Sequence, residues 1–319
     1  MLYDLNIAWS PSTSASELER TLRFSSQLGY NVVALNHTLD APLSSKITNP
    51  LPKFPPPTPP QTKDRLHRIP TILHRLTVVF SDPAQNQQLA KAAQAYDILA
   101  LRPQTEKAFQ AACLNVQDAS LISLDLSARL PFYFRPKPCM AAVARGLRFE
   151  IAYAKTLAPG ADARARANFA GNVAQLVRAT RGRGIVLSSE AAAALALRAP
   201  ADVVNLLAVW GLPAEKGMEA LRANPRGVVV NEGIKRSGFR GVVDILGVAE
   251  RSEQDKEKGK GKGEETAGRD SRKRKNGEGV EKGGTAAEGG EQQYISKRQA
   301  KKLKAALRKK EAEGKAAQA

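Results

Sequence analysis

Residues 179–191 read ATRGRGIVLSSEA and show one example of a pattern that recurs along the chain. Two arginines alternate with two glycines, the apolar run Ile185–Leu187 follows, and two serines end it. A short, almost wholly apolar run is typical of a strand buried on both faces of a parallel sheet. A helix is predicted before it at 162–179, and Ser189 is a suitable N-cap for another at 190–198. The stretch therefore predicts a helix, a parallel strand and a second helix in succession.

The same alternation extends from the N-terminus to about residue 248. Strands are predicted at Leu2–Ala8, Val32–Asn36, Leu76–Phe80, Asp97–Leu101, Leu121–Leu126, Phe149–Tyr153, Ile185–Ser188 and Val228–Asn231. Further helices are predicted near 84–94, 104–114, 202–210 and 214–223, and a first helix opens with a capping-box spacing at Ser16 and Glu19. This repetition favours an α/β fold of the TIM-like (β/α) barrel type, with an open doubly wound sheet as the alternative. The sequence leaves open whether Val228–Asn231 or Val242–Leu246 supplies the last barrel strand.

Two segments depart from this pattern. Residues 41–70 hold nine of the 19 prolines, which predicts an extended surface loop inserted into a barrel domain at 1–248. The loop is either a spacer or a ligand for an aromatic-lined groove on another protein. Residues 249–319 are rich in Gly, Lys and Glu and contain Tyr294 as their only aromatic residue. They predict a disordered basic tail in which 296–312 could form a helix.

Charge is the strongest functional signal in the composition. The chain has 49 Lys and Arg against 31 Asp and Glu, a formal net charge of +18. The tail from residue 250 holds 20 of these basic and 13 of these acidic residues, which leaves 29 basic and 18 acidic, a net +11, for the body. Nucleic acid is the favoured partner, and an acidic protein surface or an anionic membrane also fits the charge. Aromatic residues make up only 5%, so structured RNA contacted through its backbone is favoured over base stacking.

Other features narrow the class of protein. No apolar run approaches the roughly 20 residues of a membrane span, and the N-terminus lacks a signal-peptide pattern, so we expect an intracellular protein with no membrane partner. Cys113 and Cys139 are too few and too far apart to predict a disulfide framework or a zinc site.

Carboxylates at the predicted strand ends are the only candidates for chemistry. They are Asp82, Asp125, Glu190 and Glu232, with Asp4 in the first strand. Of these, Asp4, Asp82, Asp125 and Glu190 could hold two divalent metals in a phosphoesterase or nuclease barrel. The competing interpretation puts Asp82 and Glu190 in first helical turns and has Asp125 capping or pairing locally. The three histidines form no His-x-His pattern, and no nucleophile-elbow or phosphate-loop motif is present. We expect no catalytic residue, no metal and no cofactor, with the metal-dependent phosphoesterase as the alternative function.

Basic residues cluster beside several predicted strands, on both rims of the expected barrel. The clusters are Arg135 with Lys137, Arg145 with Arg148, Arg164 to Arg166, Arg178 with Arg181 and Arg183, and Lys235 with Arg236 and Arg240. Because the contributions of separate phosphate contacts add, this distribution predicts a long polyanion lying over the surface. Glycines 182 and 184 would allow a close backbone approach there.

The tail contains two basic blocks of the nuclear-import type. Their residues are Arg272, Lys273, Arg274 and Lys275 in the first, and Lys297, Arg298, Lys301 and Lys302 in the second. A tail that only increases solubility would have a similar composition.

Four motifs carry a family resemblance. They are YDILALRPQTE at 96–106, RGLRFEIAY at 145–153, the segment from Arg178 to Glu190, and LRAP at 197–200. In this order they resemble the thirty-kilodalton TIM-barrel protein subunit shared by ribonuclease P and ribonuclease MRP, over residues 2 to about 212. The resemblance implies a barrel akin to polymerase-and-histidinol-phosphatase enzymes, which carry His-x-His at the end of the first strand. Asp4-Leu-Asn6 stands there in this chain, so those metal ligands are absent.

The resemblance implies a non-catalytic subunit of a nuclear, and in part nucleolar, ribonucleoprotein. Its RNA removes the 5′ leader of precursor tRNA, or cleaves precursor rRNA in the MRP particle. The implied partners are ribonuclease P RNA, MRP RNA, precursor tRNA in the holoenzyme, and other protein subunits including a small RRM-like one. The basic positions that match the family motifs, and are expected to contact RNA, are Arg102, Arg145, Arg148, Arg181, Arg183 and Arg198. Each could instead pair with Asp97, Glu150 or Glu190 inside the protein.

Overall fold

The computed structural model describes residues 1–54, 69–86, 88–158, 160–239 and 243–244. Its strands are β1 (Tyr3–Ala8), β2 (Val32–Asp40), β3 (Thr71–Phe80), β4 (Ile98–Pro103), β5 (Leu121–Ser123), β6 (Arg148–Ala152), β7 (Ile185–Ser188), β8 (Gly238–Phe239) and β9 (Val243–Asp244). Its α-helices are α1 (Ala15–Gln27), α2 (Leu89–Ala95), α3 (Glu106–Leu114), α4 (Pro136–Ala144), α5 (Ala154–Leu157), α6 (Ala163–Thr180), α7 (Pro200–Val209), α8 (Ala214–Leu221) and α9 (Ala223–Ser237). Short 3₁₀ helices occupy Pro83–Asn86 and Ala194–Ala196.

Seven parallel strands form one sheet in the order β1 to β7. The sheet curls until β7 reaches β1, where Glu190 donates its backbone N–H to the Asn6 carbonyl at 2.7 Å and Ala8 donates to Ala191 at 3.0 Å. The result is a nearly closed barrel with helices outside it. This confirms the predicted TIM-like (β/α) fold, and the open doubly wound alternative is wrong, because an open sheet would leave β1 and β7 without each other.

Strand residues alternate between the two faces of the barrel wall, as the two-residue period of a strand requires. In β2, Val33 and Leu35 belong to the large core beneath the helices, whereas Val32 and Ala34 belong to a smaller cluster inside the barrel. The inside cluster also contains Val228, which lies on α9.

Helix α9 covers the barrel end at which the strands begin. Asn224 donates to the Ile185 carbonyl at the start of β7, at 2.8 Å, and Arg236 donates to the Tyr96 carbonyl just before β4, at 2.9 Å. The predicted strand Val228–Asn231 is therefore wrong: its valines are helical because one of them fills the barrel opening. Val242–Leu246 does not complete the barrel in the described residues either, since Val243–Asp244 pairs antiparallel with Gly238–Phe239.

Two further predictions about helices need correction. The first helix is capped by Ser14, whose hydroxyl accepts from the Glu17 N–H at 3.3 Å, so the capping box lies two residues before the predicted one. The helix predicted at 190–198 is only a 3₁₀ turn at Ala194–Ala196. Ser189 caps no helix, because residues 190–193 are not helical. Its hydroxyl donates to the Asn6 carbonyl across the seam between β7 and β1 and accepts the Ala191 N–H. Helix α4 was not predicted from the sequence.

The described part of the proline-rich segment packs on the barrel. Leu51 is buried in the core, and Asn49 donates to His74 Nδ1 at 2.8 Å and to the Ala95 carbonyl at 3.4 Å. Residues 41–54 form a loop without helix or strand, in which half of the residues are exposed and Leu51 anchors the segment to the core. Residues 55–68 and the predicted tail at 249–319, with its import blocks and its 296–312 helix, lie outside the described residues. Among the described helices, none combines the length and apolar character needed to cross a membrane.

Candidate nucleic-acid interface

A buried ion pair lies at the centre of the barrel. The guanidinium of Arg75 in β3 donates to both carboxylate oxygens of Glu150 in β6, at 2.5 and 2.6 Å, and neither side chain has any exposed surface. Asn6 donates to the same carboxylate at 3.3 Å, and the Ser188 hydroxyl is a further donor to it. Burial opposes ionisation of Glu150, but the Arg75 charge and these hydrogen bonds outweigh it and lower the pKa of Glu150 to about 2. The charges of Arg75 and Glu150 thus balance each other inside the barrel.

The sequence did not single out Arg75. The signal that could have found it is an arginine among the apolar residues of β3 and a glutamate among those of β6. Two opposite charges on buried strands must pair, because an isolated buried charge is far more costly than a paired one.

Asp4 holds the seam of the barrel, where it contacts no candidate metal ligand. One carboxylate oxygen accepts the N–H groups of Asn6 at 3.2 Å and of Ser189 at 3.0 Å. Burial raises the pKa of Asp4 to about 6, although these hydrogen bonds favour its charged form. Asp4 therefore has a structural place between β1 and β7.

The remaining candidate carboxylates lie at the rim where the strands end, and basic residues neutralise two of them. Glu190 pairs with Arg102 at 2.9 Å and with Lys155 at 3.3 Å, and Lys155 also reaches Asp125 at 3.4 Å. The Ser127 hydroxyl donates to Asp125, so the expected local pairing of Asp125 is confirmed. Glu190 lies in no helical turn, contrary to the structural interpretation; its φ is +56°, and its N–H closes the barrel seam.

Asp82 lies apart from this group. Its carboxylate accepts the Ala84 N–H at 3.0 Å at the start of the first 3₁₀ helix, as a local cap does. Within the described residues, no three His, Cys, Asp or Glu side chains come together in a way that could hold a metal ion. The four carboxylates of the phosphoesterase alternative therefore form no such group of three, although Lys155 joins Asp125 and Glu190.

The predicted RNA-binding residues divide into two sets. The side chains of the first set have partners within the protein. Four residues pair with carboxylates: Arg102 with Glu190, Arg135 with Glu106, Lys235 with Glu232 and Arg236 with Asp97, and Arg102 also donates to the Ser123 hydroxyl. Three arginines donate to backbone carbonyls: Arg145 to Cys113 and Val116, Arg148 to Val143 and Leu147, and Arg198 to Leu195 and Leu197. Carbonyl contacts of this kind fix loop ends and consume donors that RNA would otherwise receive.

The second set is free within the part of the chain that the structure describes. Arg178, Arg181, Arg183 and Lys137 are exposed, and their side chains make no hydrogen bond or ion pair there. Three of these four lie together where α6 turns into β7. Arg178 is in the last turn of α6, and Arg181 ends the helix in the left-handed conformation, with φ of +55°. Arg240 lies outside the described residues.

The glycines of this turn serve the protein's own packing. Gly184 has φ of +65°, and a Cβ there would lie 2.8 Å from a methyl group of Val143 on α4. The close approach expected at Gly184 is therefore made by a side chain of the barrel. Gly182, with φ of +67°, faces Leu212 and Lys216 at ordinary contact distance. The two glycines fix a rigid turn that displays Arg181 and Arg183 outward.

The basic residues occupy both barrel rims, as the sequence predicted. Arg145 precedes β6, Arg148 begins it, and Arg181 and Arg183 precede β7, all at the rim covered by α9, whereas Arg102 lies near the end of β4 at the opposite rim. They do not converge on one pocket.

Known proteins are similar to this chain in sequence and in fold. The model of the RNase P subunit p30 family matches residues 1–237. Probable ribonuclease P protein subunit 3 of Schizosaccharomyces pombe is 32% identical over 246 residues, which cover 76% of this chain and 99% of that protein. Ribonuclease P protein subunit p30 of Mus musculus is 33% identical over 243 residues, which cover 72% of this chain and 85% of that protein.

A solved structure supports the fold. One chain of a cryo-EM structure of archaeal ribonuclease P with mature tRNA superposes with a TM-score of 0.55 at 15% identity, covering 78% of this chain and all of that one. The family match spans β1 to α9, the whole barrel and the helix that covers its end. The chain belongs to the ribonuclease P subunit p30 family.

Proposed function

We propose that the chain is a non-catalytic protein subunit of nuclear ribonuclease P and ribonuclease MRP. It binds and stabilises the RNA that performs the chemistry and docks other protein subunits, in particles that remove the 5′ leader of precursor tRNA and process rRNA. Family membership supports this assignment, and the names of the curated relatives agree with it.

The observation that carries RNA binding is the free arginine turn, which we define as Arg178, Arg181 and Arg183. Three guanidinium groups within six residues repel one another, and no carboxylate of the described residues pairs with them. Arg178 gains some stabilisation from the C-terminal dipole of α6, which is one structural use of the cluster. That use does not extend to Arg183, which follows the helix. An RNA backbone supplies the missing negative charge, and each phosphate contact releases counterions.

The ion pairs of the barrel support a protein that does not itself catalyse phosphodiester cleavage. A two-metal mechanism needs several oxygen ligands that are free to bind cations about 4 Å apart. Here Glu150 is held by Arg75, Glu190 by Arg102 and Lys155, and Asp125 by Lys155 and Ser127. Replacing these partners with a metal would leave the basic side chains buried or crowded without counter-charge.

Incubating the purified chain with precursor tRNA and Mg²⁺, in the absence of any RNA subunit, tests this part of the proposal. We expect no cleavage. Cleavage that disappears in D125A/E190A would establish the phosphoesterase alternative.

Salt-dependent binding to ribonuclease P RNA tests the RNA-binding part. We expect R178A/R181A/R183A to weaken binding and to lower the slope of log affinity against log salt by about 2 to 3, or about one per lost phosphate contact. The matched control is K46A/K53A/K91A, which removes the same charge from exposed lysines elsewhere on the barrel. Equal losses in the two triple variants would show that only net charge matters and would contradict a role for the turn.

The finer partners and the compartment belong to the same proposal. MRP RNA, precursor tRNA within the holoenzyme and a small RRM-like subunit are the expected partners, and the nucleus, with the nucleolus, is the expected location. The import blocks at Arg272–Lys275 and Lys297–Lys302 support this location by their composition. A fluorescent fusion in which both blocks are changed to alanine should lose nuclear accumulation, and unchanged accumulation would contradict an import role.

A further inference from the structure

An exposed tyrosine stands among basic side chains in the loop between β5 and α4. Tyr133 is 78% exposed, and its hydroxyl makes no hydrogen bond within the described chain. Arg129 and Arg135 on the same loop, and Lys137 in the first turn of α4, are also exposed. Burial is normally favourable for an aromatic ring of this size, and an exposed ring close in sequence to three exposed cations is a candidate contact for an anionic, aromatic ligand.

The loop holds Tyr133 outward by a strict alternation. From Pro131 to Arg135 the residues are exposed, buried, exposed, buried and exposed, as in an extended chain with one face on the core. Phe132 stacks on Phe109 at 4.8 Å between ring centroids, and Phe134 meets Phe109 edge-on at 5.7 Å. With both neighbours anchored in the core, the Tyr133 ring cannot turn inward.

Helix α6 fixes the other end of the loop. Asn172 donates to the Leu126 and Ala128 carbonyls at 2.8 and 3.0 Å, and Asn168 donates to the Ser127 carbonyl at 3.3 Å. The segment that leads to Arg129 is therefore held in one conformation. A binding loop that is already ordered loses little conformational entropy when a ligand arrives.

Charge decides the class of ligand. Arg129 and Lys137 have no partner in the described residues, and Arg135 keeps most of its guanidinium in solvent beside Glu106, at 3.2 Å. Three exposed cations thus lie within four residues of Tyr133 in the sequence, and of the three only Arg135 has a carboxylate partner among the described residues. A protein interface would need a contiguous apolar centre, and Tyr133 is an isolated exposed aromatic here. Unpaired nucleotides offer what this loop complements, namely a π-face for the ring and phosphates for the cations.

We propose that Tyr133 stacks on an unpaired base of an RNA strand whose flanking phosphates contact Arg129, Arg135 and Lys137. This rests on the proposed RNA-binding function and adds to it a single-stranded contact on the rim opposite the free arginine turn. Arg135 and Lys137 thereby gain a specific role, and Tyr133 joins the RNA-binding residues.

Fluorescence anisotropy of the full chain tests the proposal, with a labelled oligouridylate of about 12 nucleotides and an RNA duplex of similar length as probes. We expect Y133A to weaken oligouridylate binding about 5- to 150-fold, the range for loss of one base stack, and to change duplex binding less than about 2-fold. Y133F and Y133W should bind like the wild type, because they keep the ring. L195A, which truncates another side chain exposed to 80%, is the matched control and should have no effect.

Salt dependence separates stacking from charge. Y133A should leave the salt slope unchanged, whereas R129A/K137A should lower it. Unchanged oligouridylate affinity in Y133A would overturn the stacking proposal and assign the ring to a protein partner instead. The proposed function would still stand if R178A/R181A/R183A weakened duplex binding in the same assay. Failure of the wild-type chain to bind either probe would overturn both.

Discussion

Arg75 and Glu150 meet across the barrel interior through two hydrogen bonds, from strands that are 75 residues apart in the sequence. Both side chains are fully buried, and Arg75 also donates to the Leu5 carbonyl at 2.7 Å. The pair connects β1, β3 and β6 inside the barrel. Charge in this barrel is therefore balanced by a fixed cation of the protein itself.

Breaking this pair should destabilise the barrel strongly. E150A or R75A leaves one buried charge without a partner, and we expect a loss of about 3–5 kcal/mol in the free energy of unfolding. Urea denaturation followed by circular dichroism measures it. The double variant R75M/E150L should recover most of the loss, because it leaves no charge behind. Equal stability of E150A and the wild type would show that the pair does not hold the strands.

Stability should depend on Glu150 in the acid range. Its pKa is lowered to about 2 in the folded chain, from an ordinary value of 4.5. A lowered carboxyl pKa means that the folded state binds fewer protons than the unfolded state, so the contribution is complete above pH 4.5 and is lost as the pH falls toward 2. Thermal unfolding from pH 6 down to pH 2 should therefore show a steep decrease that is absent in R75M/E150L.

Asp4 should have the opposite pH dependence. Burial raises its pKa from 3.8 to about 6, so the folded state retains the proton longer, and stability falls as the pH rises from about 4 to 6. A shift of about 2 pKa units corresponds to about 3 kcal/mol. D4N removes this titration, and we expect it to be more stable than the wild type at pH 7.5 but not at pH 3.5. A wild-type-like pH profile in D4N would contradict the assignment.

The turn into β7 should tolerate no side chain at Gly184. A Cβ at this position would lie 2.8 Å from Val143, and the alanine would have to keep the positive φ of the glycine. We therefore expect G184A to lower the free energy of unfolding by about 2–4 kcal/mol. Gly146 has φ of +93° and no atom within 4 Å of its would-be Cβ, so G146A isolates the backbone cost and should lose only about 1–2 kcal/mol. Similar losses in both variants would show that contact with Val143 is unimportant.

The two cations bound to Glu190 should contribute unequally. Arg102 and Glu190 are 12% and 10% exposed, whereas Lys155 is 45% exposed and screened by solvent. We expect R102A to cost about 1–3 kcal/mol and K155A less than about 1 kcal/mol. Unfolding at low and high salt checks this, since the effect of K155A should vanish with added salt. A larger effect for K155A would reverse the ranking.

The sequence by itself determined the helices and strands whose residue types indicate which of their faces are buried. Ile185–Ser188 was predicted and observed with the same bounds, and the helix predicted at 162–179 is found at 163–180. Apolar runs buried on both faces and amphipathic helices between them encode a barrel locally, because each residue type reports the environment it needs. The motifs of the p30 family could likewise be recognised in order along the chain.

Only the tertiary structure decided which side chains meet. Val228–Val230 has the composition of a strand, but the open end of the barrel requires an apolar helix there. Ser189 looks like a helix cap, and the barrel seam uses it as a donor to Asn6. Of the predicted RNA-binding arginines, the fold ties Arg102, Arg145 and Arg198 into its own network and leaves Arg181 and Arg183 free. The physical reason is that an ion pair or hydrogen bond forms between groups brought within a few ångströms by the fold, and a linear sequence carries no record of that distance.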